Sequence, residues 1–280
     1  MTVTCYPSPG KRKALKICRA FAAGCGGTVA ETGATVLRPG PAFFYGWTGH
    51  TAPLIARCRA EGRTWIYADN AYYFGRGTYF RVTRNALMHD GRGDAGPERF
   101  ARFGIAVKPW RRDGGHIVVA TQSEAFYRLH LGTTRELWTA QVCDELDLFT
   151  RRPVVVCHKP PLPWPGDDPH GGFEDVLPGA WAVVSHSSSV MVKALMEGVP
   201  VISLGPSMAS VMAANDPARI EDPVMPDGRE QWLWNLAANQ WTREEMGDGQ
   251  CWKALSCQMS DAGCQSRTRT TENCHLTSDN

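Results

Sequence analysis

Trp181-Ala-Val-Val-Ser-His-Ser-Ser-Ser-Val-Met-Val-Lys-Ala-Leu-Met-Glu-Gly-Val-Pro-Val-Ile-Ser-Leu204 is the stretch on which the fold turns. Trp181 to Val184 is a short apolar run that reads as a buried strand. Ser185 to Ser189 is a polar turn, Val190 to Met196 a helix, Gly198 its stop, and Val201 to Leu204 a second buried strand. Strand, helix and strand in this order make a βαβ unit. Its turn lies at the carboxyl end of a strand and the amino end of a helix, where free backbone N–H groups and the helix dipole favour an anion such as a phosphate. Serine is also a preferred N-cap residue. Taken by itself, the turn reads more readily as a helix cap than as a ligand site.

Two more strand ends point to the same edge. Pro153-Val-Val-Val-Cys-His-Lys-Pro160 is a β-branched run that ends in His158 and Lys159, followed by a proline-rich stretch to Pro169. Val199 to Leu204 ends in Gly205-Pro206, again small and turn-forming. An imidazole, an ammonium and a hydroxyl-lined turn on one edge are donors suited to a diphosphate.

These residues resemble the donor-binding half of GT-B-type glycosyltransferases, and within that group they are most similar to the capsular-polysaccharide, Kdo and sialic-acid transferases. The likeness covers about residues 150 to 210. It implies an α/β fold of two Rossmann-like domains facing across a cleft. It also implies that His158, Lys159, Ser187, Ser188 and Ser189 contact a nucleotide sugar. This sequence departs from the pattern in placing Lys159 between His158 and Pro160. It also carries Lys193 where many relatives have an acidic residue on the donor ribose, which leaves Glu197, a helical turn later, as the carboxylate candidate on the donor side.

The remainder of the chain suits such an enzyme. Its 280 residues can hold two modest domains, and 43% hydrophobic with 21% charged residues is ordinary for a globular protein. A net charge of +2 gives no general electrostatic grip on nucleic acid or on an anionic membrane. No run approaches the length of a transmembrane helix, and Lys11-Arg-Lys13 is not followed by a secretory core, so a cytoplasmic location is expected. Of ten cysteines, Cys251, Cys257, Cys264 and Cys274 cluster late, without the paired spacing of a zinc site. From about Ser256 the chain is polar and reads as a disordered tail.

The amino-terminal half repeats the strand-helix-strand pattern. A helix over Lys13 to Ala23 stops at the Gly24 to Gly27 cluster. Ala42 to Tyr45 is a strand, Thr51 to Ala60 a helix and Thr64 to Asp69 a strand. Two Rossmann-like domains are expected, residues 1–110 on the acceptor side and 111–255 on the donor side, with His89 to Pro109 as the loop between them and 256–280 as tail. The second domain opens on Gly115 to Thr121, whose end, Thr121-Gln122-Ser123, is another polar turn. Glu136 to Phe149 reads as an amphipathic helix, and Gly228 to Asn239 and Thr242 to Leu255 as two more, the last opened by the capping box Thr242-Arg-Glu-Glu245.

Asp69, at a strand end among Tyr67, Asn70, Tyr72 and Tyr73, is the leading candidate for the general base that takes a proton from an acceptor hydroxyl; Asp69-Asn70 also suits a simple turn. His50 is the second candidate, since imidazole titrates near neutrality. Tyr72, Arg76, Arg81 and Arg84 interleave aromatic and cationic groups and suit a saccharide or a modified base in DNA, although a β-hairpin turned at Gly75 to Gly77 fits the same residues. There is no P-loop, nucleophile elbow or His-Glu-x-x-His helix. Nor does an Asp-x-Asp end an apolar strand, so no metal and no other cofactor is expected. The expected activity is transfer of a sugar from a nucleotide sugar to a hydroxyl acceptor. A nucleotide-sugar epimerase or hydrolase on the same fold, or a non-catalytic nucleotide-sugar or glycan-binding protein, are the alternatives; the sugar, the nucleotide and the oligomeric state are not encoded in any motif.

Overall fold

A computed structural model describes residues 2–159 and 172–257. The proline-rich stretch after Lys159 and the polar tail beyond residue 257, with Cys264 and Cys274, lie outside the described residues.

The chain starts in one compact unit, enters a second briefly over Tyr72–Phe74 and then over Met88–Ala238, and returns to the first. The opening run is β1 (Thr4–Tyr6), α1 (Arg12–Cys25), β2 (Thr28–Val29), β3 (Ala42–Tyr45), α2 (Thr51–Ala60), β4 (Trp65–Asn70) and β5 (Tyr79–Arg84). The second unit carries α3 (Glu98–Ala101), β6 (His116–Ala120), α4 (Glu124–Phe126), a π-helical turn (Tyr127–Leu131), α5 (Arg135–Asp147), β7 (Val154–Cys157), α6 (Phe173–Val176), β8 (Ala180–Ser185), α7 (Val190–Met196), β9 (Val201–Ser203) and α8 (Arg229–Ala238). β10 (Gln240–Thr242) and α9 (Arg243–Gly247) then belong to the first unit again.

Both units wind their first four strands in the same order. In the first, β2-β1-β3-β4 are parallel neighbours, and β5 and β10 extend the sheet antiparallel at its β4 edge. In the second, β7-β6-β8-β9 are all parallel. Each is an open α/β sheet whose winding reverses between its first and third strands, β1 and β3 in one, β6 and β8 in the other. The crevice at such a reversal, outside the carboxyl ends of the strands, is where open α/β sheets bind ligands.

Strand residues alternate between two buried faces because successive side chains point to opposite sides. Phe43 packs with Ile17, Cys18 and Phe21 of α1, its ring stacked on Phe21 at 4.1 Å between centroids, while Phe44 packs with Leu54, Ile55 and Cys58 of α2. In the second unit Val118 and Val183 face Met191 and Leu195 of α7, and Val119 and Val184 face Trp138 and Val142 of α5. Each such Phe, Leu or Ile side chain contributes about 1.5–3 kcal/mol by leaving water. A sheet covered on both faces leaves only its carboxyl edge for chemistry.

The units divide the chain differently from the expected 1–110 and 111–255. Residues 88–110 belong to the second unit, where Asn235 of α8 donates to the carbonyls of Gly91 (2.7 Å) and Gly93 (3.0 Å) and accepts from the amide of Ala95 (2.9 Å). Residues 239–257 belong to the first, because β10 pairs with β5, setting Trp241 opposite Phe80. The capping box forms, with Thr242 Oγ1 accepting from Glu245 N and Glu245 Oε2 accepting from Thr242 N. The helix that it opens breaks at Asp248–Gly249 and resumes over residues 250–257. No helix among the described residues is long and apolar enough to cross a membrane.

Candidate functional site

In the second unit, three strands end side by side in polar residues. After β6 come Thr121 and Gln122, after β7 His158 and Lys159, and after β8 His186 and Ser187. Thr121 Oγ1 lies 3.1 Å from His158 Nδ1, which fixes the imidazole against the central strand. Gln122 Nε2 donates to Ser187 Oγ at 2.8 Å, directly across the reversal between β6 and β8. The buried Tyr127 hydroxyl orients that amide by donating to Gln122 Oε1 (3.3 Å), and itself accepts from the Gln122 amide (3.2 Å). His186 Nδ1 is 3.3 Å from Ser187 Oγ, its ring lies edge-on to Phe126 at 5.4 Å, and Phe126 stacks on His130 at 4.8 Å. His158 and Ser187 flank the central strand on opposite sides, about 10 Å apart by two interstrand spacings, a span that a diphosphate with its two flanking groups can bridge.

The serines are not used as a helix cap. Ser189 occupies the N-cap position of α7 with no side-chain cap bond, and Ser188 Oγ receives only a long contact from Val190 N at 3.5 Å. Ser187, Ser188 and Ser189 are half-buried and His158 is exposed, so the group is open to a ligand. Burial, helped by the nearby charge of Arg135, holds the His158 pKa below its ordinary value. Burial does the same for His186, with His130 adding to it, and for His130. Arg135, whose Nη1 donates to Lys159 O at 3.3 Å, puts a permanent cation at this edge.

Glu197 is not part of this group. α7 runs back from the carboxyl edge, so Glu197 at its end lies one helix length, about 10 Å, from the serine turn. There it pairs with Lys108 and, at 2.8 Å, with Lys193. Burial pushes its pKa up, but the hydrogen bonds and charges of the two lysines outweigh that and hold it below the ordinary value. Lys193 also reaches Glu174 at 3.7 Å and lies 5.9 Å from the Tyr73 ring centre. Lys193 is thus part of a structural ion-pair network.

In the first unit, His50 and Asp69 do fall at the carboxyl ends of β3 and β4. Asp69 is held on every side. Its Oδ2 accepts from Arg81 Nη2 (2.9 Å) and from the Tyr67 hydroxyl (2.9 Å), and its Oδ1 accepts from the amide of Asn70 (2.7 Å). The cause is register, which sets Asp69 directly opposite Arg81 across the antiparallel β4–β5 pair. Arg81 is therefore the partner of Asp69 before it is anything to an acceptor. His50 precedes α2; its Nε2 lies 3.0 Å from Ala34 O, and since a carbonyl only accepts, Nε2 carries the hydrogen and Nδ1, buried without a partner, keeps its lone pair. Ser8 and Thr48 bridge this unit's own reversal, their hydroxyls 3.1 Å apart.

The aromatic and arginine run does not form one surface. Tyr72 is fully buried in the second unit, its hydroxyl accepting from His89 N at 3.0 Å, so its ring cannot stack on a ligand. Arg84 ends β5, which runs opposite to β4, and therefore lies at the amino edge of the sheet, away from Asp69. Arg76 is exposed in the loop between β4 and β5. Among the described residues, no three His, Cys, Asp or Glu side chains are grouped to hold a metal ion. Cys251 is buried and Cys257 exposed.

No family model matches the sequence, and no curated protein matches it. Among solved structures, the β-Kdo 2,4 transferase of Thermosulfurimonas dismutans KpsC superposes with a TM-score of 0.52 at 13% identity, over 86% of this chain and 92% of that one. In fold, the chain is similar to a GT-B-type Kdo transferase. The β-Kdo 2,7 transferase of the same protein gives 0.47 at 12% identity, over 90% and 99%.

Among the residues gathered at this edge of the second unit, sequence reasoning missed four as site residues. Gln122 and Thr121 had a signal, since they form the polar turn after the strand that proves to be central. His186 lay inside the serine turn, but only strand order shows that it and Gln122 stand on the two sides of the reversal. Arg135 had none, because its approach to Lys159 depends on where α5 returns over the sheet.

Proposed function

We propose that this chain is a glycosyltransferase that moves a sugar from a nucleotide-sugar donor to a hydroxyl acceptor, with the donor held by the second unit. The single observation that carries this reading is the hydrogen bond between Gln122 and Ser187 across the strand reversal, with His158 fixed beside it by Thr121 and the serines left out of helix capping. Donors fixed before the ligand arrives stabilise charge as it develops, because no reorganisation is needed at that moment. In the reaction, the bond from the anomeric carbon to the diphosphate oxygen breaks and the acceptor oxygen takes its place. The departing diphosphate gathers negative charge that His158, Lys159, Arg135 and the turn's backbone amides offset. The acceptor's proton passes to a general base. Of the two candidates in the first unit, His50 has its free Nδ1 lone pair buried and Asp69 is already paired with a guanidinium, so a side-chain rearrangement must expose one of them before it can take that proton. A glycan acceptor is the reading favoured here over DNA, because Tyr72, Arg81 and Arg84 do not share one surface.

A second reading, a nucleotide-sugar-binding protein without turnover, draws its support from that same Asp69–Arg81 pair. Titration with nucleoside mono- and diphosphates and with their sugars, followed by a release assay, separates the two. A transferase binds a nucleotide saturably, loses affinity in His158→Ala and Ser187→Ala while both variants stay folded, and releases nucleotide when an acceptor is added. Binding without release in the presence of glycan acceptors supports the binder, and no saturable nucleotide binding ends both readings.

A further inference from the structure

The first unit contains a cavity of about 310 Å³ lined by Lys13, Lys16 and Ile17 of α1, Gly77, Thr78 and Phe80 of the β4–β5 segment, and Arg243 and Glu244 at the start of α9. Its volume suits one monosaccharide-sized ligand. Three cations and one carboxylate line it, and that carboxylate is engaged, since Arg243 Nη2 reaches Glu244 Oε1 at 3.3 Å. The lining is therefore +2 in formal charge.

A second observation comes from α1 itself. Its first turn has no acidic residue, its N-cap Lys11 makes no side-chain cap bond, and the residues that open it are Lys11, Arg12 and Lys13, with Lys16 one turn on. Cations at the positive end of a 14-residue helix oppose its dipole, the reverse of the arrangement that stabilises a helix start. Lys13, Lys16 and Ile17 share one face at i, i+3 and i+4, and that face is the wall of the cavity. Lys13 Nζ donates to Asn70 Oδ1 at 2.7 Å and lies 5.1 Å from the centre of the Phe80 ring, which fixes the ammonium at the cavity's apolar side. Partial burial lowers the Lys13 pKa against the nearby charge of Asp69. A bound anion would offset the unfavourable charge at the helix start.

We propose that this cavity binds a phosphate monoester on a sugar-sized body, with Lys13, Lys16 and Arg243 on the phosphate and Phe80 and Ile17 against the ring. A phosphate monoester carries close to two negative charges at neutral pH, which matches the lining, whereas a carboxylate carries one. The site lies wholly within the first unit and shares no residue with the donor group, so it stands or falls independently of the transferase reading.

The test is calorimetric titration of the full chain with glucose 6-phosphate, inorganic phosphate, glucuronate and glucose, repeated for Lys16→Glu, for Arg243→Glu and for His158→Ala. Saturable binding of glucose 6-phosphate is expected, stronger than for glucuronate or inorganic phosphate and absent for glucose. Each charge reversal should weaken it by about tenfold or more, the scale of one charge-assisted hydrogen bond, and His158→Ala should leave it unchanged. Both reversals are at exposed positions, and circular dichroism confirms that the variants fold. Tighter binding of inorganic phosphate than of the ester places the chemistry at the phosphate alone and overturns the sugar-sized body. Equal binding of glucuronate, insensitivity to both reversals, sensitivity to His158→Ala or no saturable binding overturns the proposal outright.

Discussion

Replacing Gln122 by alanine tests how firmly the strand reversal is organised. The side chain is almost completely buried, donates to Ser187 Oγ at 2.8 Å and accepts from the fully buried Tyr127 hydroxyl at 3.3 Å. Removing it takes away two bonds of about 1 kcal/mol each, and the phenol keeps a donor with no partner in a dry site at a further cost of about 1 kcal/mol. Ser187 is half-buried and recovers part of its loss from water. The net expectation is a loss of about 2–3 kcal/mol, which for a unit of roughly 150 residues lowers the melting temperature by about 5–10 °C. Tyr127→Phe, which also takes the acceptor from the Gln122 backbone N–H, should cost about 2 kcal/mol, and the double variant should cost about 1 kcal/mol less than the sum, because each single change already removes the shared bond. Thermal and urea unfolding of the four proteins measures this directly. A Gln122→Ala protein within about 0.5 kcal/mol of the parent, or strictly additive single changes, would refute the reasoning and leave the reversal unorganised.

Three further outcomes follow from the geometry. A Cβ at Gly205 would lie 2.2–2.6 Å from the His186 imidazole, so Gly205→Ala should displace that ring; nucleotide affinity should fall several-fold while stability changes by less than about 1 kcal/mol, since a side chain rather than backbone gives way. Asp69→Ala leaves the poorly exposed Arg81 and the Tyr67 hydroxyl without their carboxylate and should cost about 2–3 kcal/mol, with Asp69→Ala/Arg81→Met recovering part of it in urea unfolding. Burial holds the folded-state pKa of His89, His158 and His186 below 6.5, so the unfolded chain takes up protons more readily. Stability is therefore complete above pH 6.5 and falls as pH drops through 6.5 towards the folded values. Nucleotide affinity should move the other way, strengthening from pH 7.5 to 6, because a bound diphosphate favours protonated His158; parallel trends in melting temperature and affinity would contradict that placement.

The elements around the site were legible because their signals are local. β7 and β9 are short β-branched runs bounded by Pro, Gly and polar residues, and α7 ends at Gly198, whose φ of 78° and tight approach to the Pro109 carbonyl leave no room for a side chain. What escaped was set by long-range pairing. β10 is three residues between two helices, and only its registry with β5 reveals it as a strand. Asp69 looked like a base until the same sheet placed Arg81 opposite it. Tyr72 belongs by sequence to an aromatic and basic run, yet its ring enters the core of the other unit. Glu197 has the right chemistry at the wrong end of α7, which spacing alone cannot show because the helix direction over the sheet decides it.

The most direct measurement is a chemical-shift perturbation map of the second unit's backbone amides, taken on the full chain during titration with nucleoside diphosphates and their sugars. The account predicts saturable shifts at Thr121–Gln122, His158–Lys159 and Ser187–Ser189, with the Glu197 end of α7 unmoved. Shifts confined to other surfaces, or none at millimolar nucleotide, would contradict it.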